Sequence, residues 1–286
     1  MAHAFSAQPK EVTPEQATAI IGHWYRQACE HRVTLVVSAE AIYRHVLGSG
    51  SFWERRRYYL EALRTALADF EVIPVVVFRR PDDYLRSLYQ EAVANLSKPR
   101  QMPAFADYVA KPPPGVHYSA NAELVESVFG SLRVLLYEDL TASPGSLGEA
   151  FYAALGYSLS GHTPTSNVRV SLSPEETLLK NAFNGQLASR AESDAFIRGL
   201  RTPRMQDILR TAYPTPPYSL WPDTPTRQAF LDSRADDLAQ LRQRYFPERD
   251  TLFEASIARL STHPVPMPSP ELLDRVKSCV PAHHES

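Results

Sequence analysis

An apolar run, Val75-Val76-Val77-Phe78, ends abruptly in Arg79-Arg80, and Pro81-Asp82-Asp83-Tyr84-Leu85-Arg86-Ser87 follows. Those residue types in that order suit anion binding. Residues 72–78 are rich in Val and Ile and lack alternation, the pattern of a strand buried on both faces of a parallel sheet. Proline is favourable in the first turn of a helix, and acidic residues there complement the positive end of the helix dipole. A strand, a short basic turn and a helix N-terminus together form an anion site at the carboxyl edge of a sheet. Arg79 sits at the strand end, and Ser87 lies about two helical turns on. Two plainer readings stay open for Arg79: an exposed surface charge, or a partner for Asp83.

The elements that must position these residues alternate through the first half of the chain. Thr13-Pro14-Glu15-Gln16 reads as a capping box with proline at the first helical position, opening a helix to about Glu30. A β-branched strand is expected over Arg32–Val37. Ser51-Phe52-Trp53-Glu54 is a second capping box, opening a helix that ends near Phe70. The strand 72–78 and a helix from Pro81 to about Leu96 come next. A proline-broken excursion then spans Lys98–Gly115, with a short helix around Phe105–Val109. Residues 120–129 are helical with Gly130 as cap, Arg133–Tyr137 is a third strand, and a helix lies between Pro144 and Leu155. From Ser173-Pro174-Glu175-Glu176 onward only helices are expected. The fold class is therefore α/β, a parallel sheet flanked by helices over residues 1–172, with a mostly helical part of the same domain over 173–261. Residues 262–286 read as a Pro-rich, partly disordered tail.

Composition narrows the function classes. A net charge of −2 offers no general argument for nucleic acid, and no apolar run approaches the ~20 residues of a membrane span. Cys29 and Cys279 are too few for a disulfide framework and lack metal-ligand spacing, and His283-His284 has no ligand partners. A cytoplasmic protein without a metal is expected. The excess of 25 arginines over five lysines fits phosphate binding or genome composition equally.

The same residues resemble the strand-turn-helix motif of sulfotransferases that use 3′-phosphoadenosine 5′-phosphosulfate. That motif has Arg, Pro two later, Asp four later and Ser eight later, and Arg79, Pro81, Asp83 and Ser87 match all four. Further matches fall in the family's order over roughly residues 30–255. Leu135-Leu136-Tyr137-Glu138-Asp139-Leu140, with Pro144 after it, looks like the later strand ending in Tyr-Glu-Asp. Val36-Val37-Ser38-Ala39-Glu40 resembles the strand-to-helix turn of bacterial carbohydrate sulfotransferases, and Asn167-Val168-Arg169-Val170-Ser171 their Asn/Ser loop. The resemblance implies a P-loop-NTPase-like sheet. It also implies 3′-phosphate contacts from Arg79 and Ser87, with Arg169 either on a phosphate or covering a surface. The Glu138 and Asp139 carboxylates read as architectural.

One part of the pattern is missing. Sulfotransferases open with a strand and a Gly-rich loop carrying Lys or Arg, whose backbone N–H groups cradle the 5′-phosphosulfate. None of Lys10, Lys98, Lys111, Lys180 and Lys277 follows a strand in a glycine-rich turn, and Gly48-Ser49-Gly50-Ser51 has neither strand nor lysine. In the family this first strand lies between those corresponding to 72–78 and 132–137, so its loss is expected to leave a gap with unpaired edges. Either the chain starts about 25–60 residues late, by the usual size of a strand–loop–helix unit, or it is an inactive relative with a rearranged sheet. The first is preferred.

The function implied is transfer of a sulfuryl group from 3′-phosphoadenosine 5′-phosphosulfate to a hydroxyl acceptor, carbohydrate in the bacterial branch, once the N-terminus is completed. Glu40, at the strand end, is the first candidate base, because strand carboxyl ends surround the ligand crevice, and His45, one turn further along the helix expected to follow, is the second. Glu40 could instead satisfy helix N-terminal donors. The alternative is a catalytically silent nucleotide-binding or interaction protein on the same scaffold. A third reading is a glycan-modifying transferase using another activated nucleotide.

Overall fold

The computed structural model describes residues 12–95, 100–159, 171–214, 217–253 and 263–279. In chain order the helices begin α1 (Pro14–Glu30), α2 (Phe52–Ala66), α3 (Pro81–Ala94), α4 (Phe105–Ala110), α5 (Tyr118–Phe129) and α6 (Tyr137–Ala142). They continue α7 (Leu147–Ala154), α8 (Pro174–Asn184), α9 (Arg190–Leu200), α10 (Pro203–Ala212), α11 (Thr224–Asp232), α12 (Ala235–Tyr245) and α13 (Pro270–Cys279). Single 3-10 turns occupy Glu40–Tyr43 and Pro114–Val116. Two strands, β1 (Val75–Phe78) and β2 (Arg133–Leu136), pair in parallel. The described chain is mixed α/β and mostly helical.

Helix starts follow local chemistry. Thr13 and Gln16, Ser51 and Glu54, Ser146 and Glu149, and Ser173 and Glu176 each close a reciprocal capping box, satisfying two backbone donors left over by the helix start. Gly130 ends α5 in the left-handed region at φ 81°, where a side chain would be strained. Each of these local bonds spans only three residues, which is why the sequence shows them.

The chain divides into two compact units. The first comprises residues 1–79, 113–158 and 236–252. Its core gathers Ala17 of α1, Tyr59, Leu60 and Leu63 of α2, and Leu124 and Val125 of α5. Val75 to Phe78 pair in order with Arg133 to Leu136. Asp237 of α12 accepts the backbone N–H groups of Tyr118 and Ser119 and the Ser119 hydroxyl, supplying α5 with the start cap that its own sequence lacks.

The second unit comprises residues 80–112, 159–235 and 253–286. Leu179, Phe183, Phe196, Leu200, Met205 and Val276 form its core, drawn from α8, α9, α10 and α13. Asn181 and Asn184 of α8 bond the backbone of Met102 and Val93, so buried amides fasten the 80–112 segment to that core.

Several expectations change. Arg32–Val37 forms no strand: Arg32 lies in a turn at φ 54°, and residues 33–37 make no ladder, with Val33 61% and Val37 42% exposed. β-branched residues favour a strand only where a partner strand exists, and none pairs with this segment among the described residues. β1 is also shorter than 72–78, and one face alone is buried: Phe78 is enclosed whereas Ile73 and Val77 are exposed. The gap expected between the strands at 72–78 and 132–137 is absent, because β1 and β2 hydrogen-bond directly. In the expected disordered tail, residues 270–279 form α13, capped by the Ser269 hydroxyl and anchored by buried Leu272 and Val276. Among the described residues, no helix is long and apolar enough to cross a membrane.

Candidate functional site

In the first unit the site is built where the two parallel strands end. Phe78 pairs with Leu136, so Arg79 and Tyr137 are the residues that follow the two neighbouring strands at the carboxyl edge. The Arg79 guanidinium lies 4.9 Å from the centre of the Tyr137 ring. Tyr118 donates its hydroxyl to the Arg79 carbonyl at 2.7 Å and stacks on Phe78 with centroids 4.3 Å apart. Backbone and side chain of Arg79 are therefore each held by a tyrosine.

Electrostatically, Arg79 is incomplete. Its Nε is buried without a hydrogen-bond partner, and no ion pair neutralises it among the described residues. A cation over an aromatic face gains about 0.5–2 kcal/mol, whereas a buried donor left unmet costs about 1–3 kcal/mol. The two roughly cancel. An arriving oxyanion would meet both the charge and the donor.

The Glu40–His45 turn belongs to the same unit. Glu40 opens the 3-10 turn, and His45 stands in the loop after it rather than on a continuing helix. This correction follows from Arg56 of α2, which is 1% exposed. It donates to the carbonyls of Ile42 at 2.5 Å and His45 at 2.9 Å, satisfying one carbonyl of the turn and one of the loop after it. The His45 ring lies 5.6 Å from Tyr59, whose phenol burial pushes up to about 12 against the lowering charge of Arg56. Arg56 also lies 6.0 Å from the Tyr43 ring, and Tyr43 meets Phe78 edge-on at 6.0 Å. An aromatic and cationic layer thus runs from His45 through Tyr59, Arg56 and Tyr43 to the strand end.

The rest of the arginine-rich turn lies in the second unit, since the division falls between Arg79 and Arg80. Asp82 is fully buried and accepts from Arg80 at 2.7 and 2.9 Å and from Arg227 of α11 at 2.5 Å. Asp83 is shared by Arg80, Arg86 and Arg227 at 3.5, 2.9 and 3.3 Å. Burial pushes the Asp82 carboxyl upward, but the hydrogen bonds and charges of Arg80 and Arg227 outweigh it and hold the group below its usual value. The carboxylate pairing left open for Arg79 goes to these three arginines. Ser87 is half-buried on α3.

The remaining site residues divide plainly. Arg169 lies outside the described residues. Asp139 receives two hydrogen bonds from Arg249 of the same unit, at 3.1 and 2.7 Å, an architectural use of that carboxylate. Sequence reasoning missed Arg56, Tyr118 and Arg227, and it saw Tyr137 only as part of a strand ending. A signal for Arg56 exists in its spacing, because Tyr59, Leu60 and Leu63 put it on the buried stripe of α2. Arg227 carries no such local signal. No group of three or more His, Cys, Asp or Glu residues that could hold a metal occurs among the described residues.

Compared with known proteins, the chain matches no family model, no curated protein and no solved structure.

Proposed function

We propose that this protein binds a nucleotide bearing a 3′-phosphate, of the 3′-phosphoadenosine 5′-phosphosulfate type, with Arg79 contacting that phosphate. The observation that carries the reading is the unneutralised, partly unsatisfied guanidinium of Arg79 at the carboxyl end of β1. Strand carboxyl ends are where ligands of parallel α/β sheets bind. Direct pairing of β1 with β2 occupies the place where the resemblance puts the phosphosulfate strand, which favours binding without transfer.

Sulfuryl transfer is the second reading, favoured by the presence of Glu40 and His45 in the same unit as Arg79. The acceptor hydroxyl oxygen would bond to sulfur as the bond from sulfur to the 5′-phosphate oxygen breaks. Glu40 or His45 would take the hydroxyl proton, and adenosine 3′,5′-bisphosphate would leave. A carbohydrate acceptor rests on the resemblance alone.

Calorimetry with adenosine 3′,5′-bisphosphate and adenosine 5′-monophosphate tests the binding reading. Preference for the bisphosphate, reduced about tenfold or more by Arg79→Ala, is the expected result. Equal affinity for both nucleotides, or binding indifferent to Arg79→Ala, refutes it. Ser87→Ala tests separately whether that hydroxyl contributes. Formation of the sulfated acceptor together with adenosine 3′,5′-bisphosphate, assayed with the donor and a hydroxyl acceptor, distinguishes transfer from silent binding. A bisphosphate unable to compete with another activated nucleotide would favour the third reading.

A further inference from the structure

A different cationic feature lies between α10 and α13 of the second unit. A groove of about 340 Å³ runs between these helices, near the lower end of the ~300–1,000 Å³ range of small-molecule clefts. Arg204, Asp207, Ile208 and Thr211 line it from α10, at the spacing that puts side chains on one helical face. Arg275 and Cys279 face them from α13, beside Ser278.

The charges do not balance. Asp207, the acid of the lining, is already paired with Arg210. Arg204 and Arg275 make no ion pair and no side-chain hydrogen bond among the described residues. Two guanidiniums on neighbouring helices thus line one groove with no ion pair of their own among the described residues. The floor is Ile208, which is 8% exposed, and a half-buried Cys279. Thr211 and Ser278 donate their hydroxyl protons to backbone carbonyls at 2.9 and 2.7 Å, so the donors offered to a ligand are those of the arginines.

We propose that this groove binds a phosphate-class dianion, either free phosphate or a phosphate monoester, between Arg204 and Arg275. A guanidinium presents a planar fork that matches phosphate oxygens, and two such forks match a doubly charged group. The site is independent of Arg79 and of the nucleotide reading.

Titration of the full 286-residue chain with inorganic phosphate, at ionic strength held constant with chloride, tests the assignment. A saturable heat is expected, weakened at least about tenfold by Arg204→Gln and by Arg275→Gln but retained in Arg79→Ala. Phenyl phosphate in a parallel titration separates the sources: tighter binding identifies a monoester whose organic part packs on Ile208, and equal binding identifies free phosphate. Both arginines are exposed, so the variants should fold. Without phosphate their melting temperatures should equal or exceed the parent's, and the phosphate-induced rise should vanish. Absence of saturable heat, or a double variant Arg204→Gln/Arg275→Gln that binds like the parent, overturns the proposal.

Discussion

Arg79 and Arg80 are consecutive in the chain and have opposite fates. Arg80 is locked to buried Asp82 by two hydrogen bonds, in a cluster completed by Arg227, Asp83 and Arg86. Arg79 rests on the Tyr137 ring with no carboxylate partner among the described residues. A neutralised arginine has spent its charge on architecture, whereas an unneutralised one can still be completed by an anion. Sequence spacing cannot distinguish the two. The counter-ions do.

The most direct way to break this comparison is to remove the carboxylate. Asp82→Asn leaves the Arg80 and Arg227 guanidiniums with the Asp83 carboxylate that they already share with Arg86, and should lower unfolding stability by about 3 kcal/mol in denaturant titrations. Arg79→Ala, which forfeits a cation–π contact but relieves an unmet donor, should change stability by less than about 1 kcal/mol. Equal losses would show that both arginines are structural. The sign of the acid response follows from the lowered Asp82 carboxyl. Its stabilisation is complete above the unfolded value near ~4 and is lost as pH falls through the lower folded value. Asp82→Asn should abolish that part of acid unfolding.

A buried cation in the second unit with no ion pair among the described residues sharpens the same contrast. Lys180 is fully buried, donates to Asn184, and has a neighbouring Phe196 ring at 6.0 Å. Burial pushes its ammonium down to about 8, only partly opposed by the charge of Asp194. From pH 8 to about 10 the unfolded chain binds a proton that the folded chain does not, so stability should rise with pH by on the order of 1 kcal/mol per unit. Below pH 8 the destabilisation is fully present. Lys180→Met should therefore gain on the order of 2 kcal/mol at pH 7, after losing the Asn184 hydrogen bond, and flatten the rise. Thermal unfolding across that range measures both effects.

Smaller effects probe the supports of Arg79. Tyr137→Leu should cost about 1 kcal/mol or less in stability while weakening bisphosphate binding more than Tyr137→Phe, which retains the aromatic face. Loss of binding in both variants alike would point instead to the Tyr137 hydroxyl. The smallest change belongs to the Asp139–Arg249 pair, 45% and 35% exposed, where Asp139→Asn should cost under about 1 kcal/mol.

Legibility in the sequence follows the range of the forces. The capping boxes at Thr13 and Ser51, and the helix start at Ser173, were readable because donor and acceptor lie three residues apart. The β1-to-α3 turn was readable for a similar reason, since an apolar run followed by Pro81 marks both elements. By contrast, Arg32–Val37 has strand composition and no strand, because pairing depends on a partner outside the segment. Direct pairing of β1 with β2 was likewise invisible from either strand alone.

What the amino-acid order determined by itself is where the self-capped helices start, that β1 runs into a basic turn, and which residue types gather there. Tertiary structure alone decided which arginine is spent and which is available. Arg227 stands 145 positions from the Asp82 that it neutralises, and Tyr137 reaches Arg79 only because two short strands align in register. Charge compensation acts through space, and chain folding chooses the neighbours.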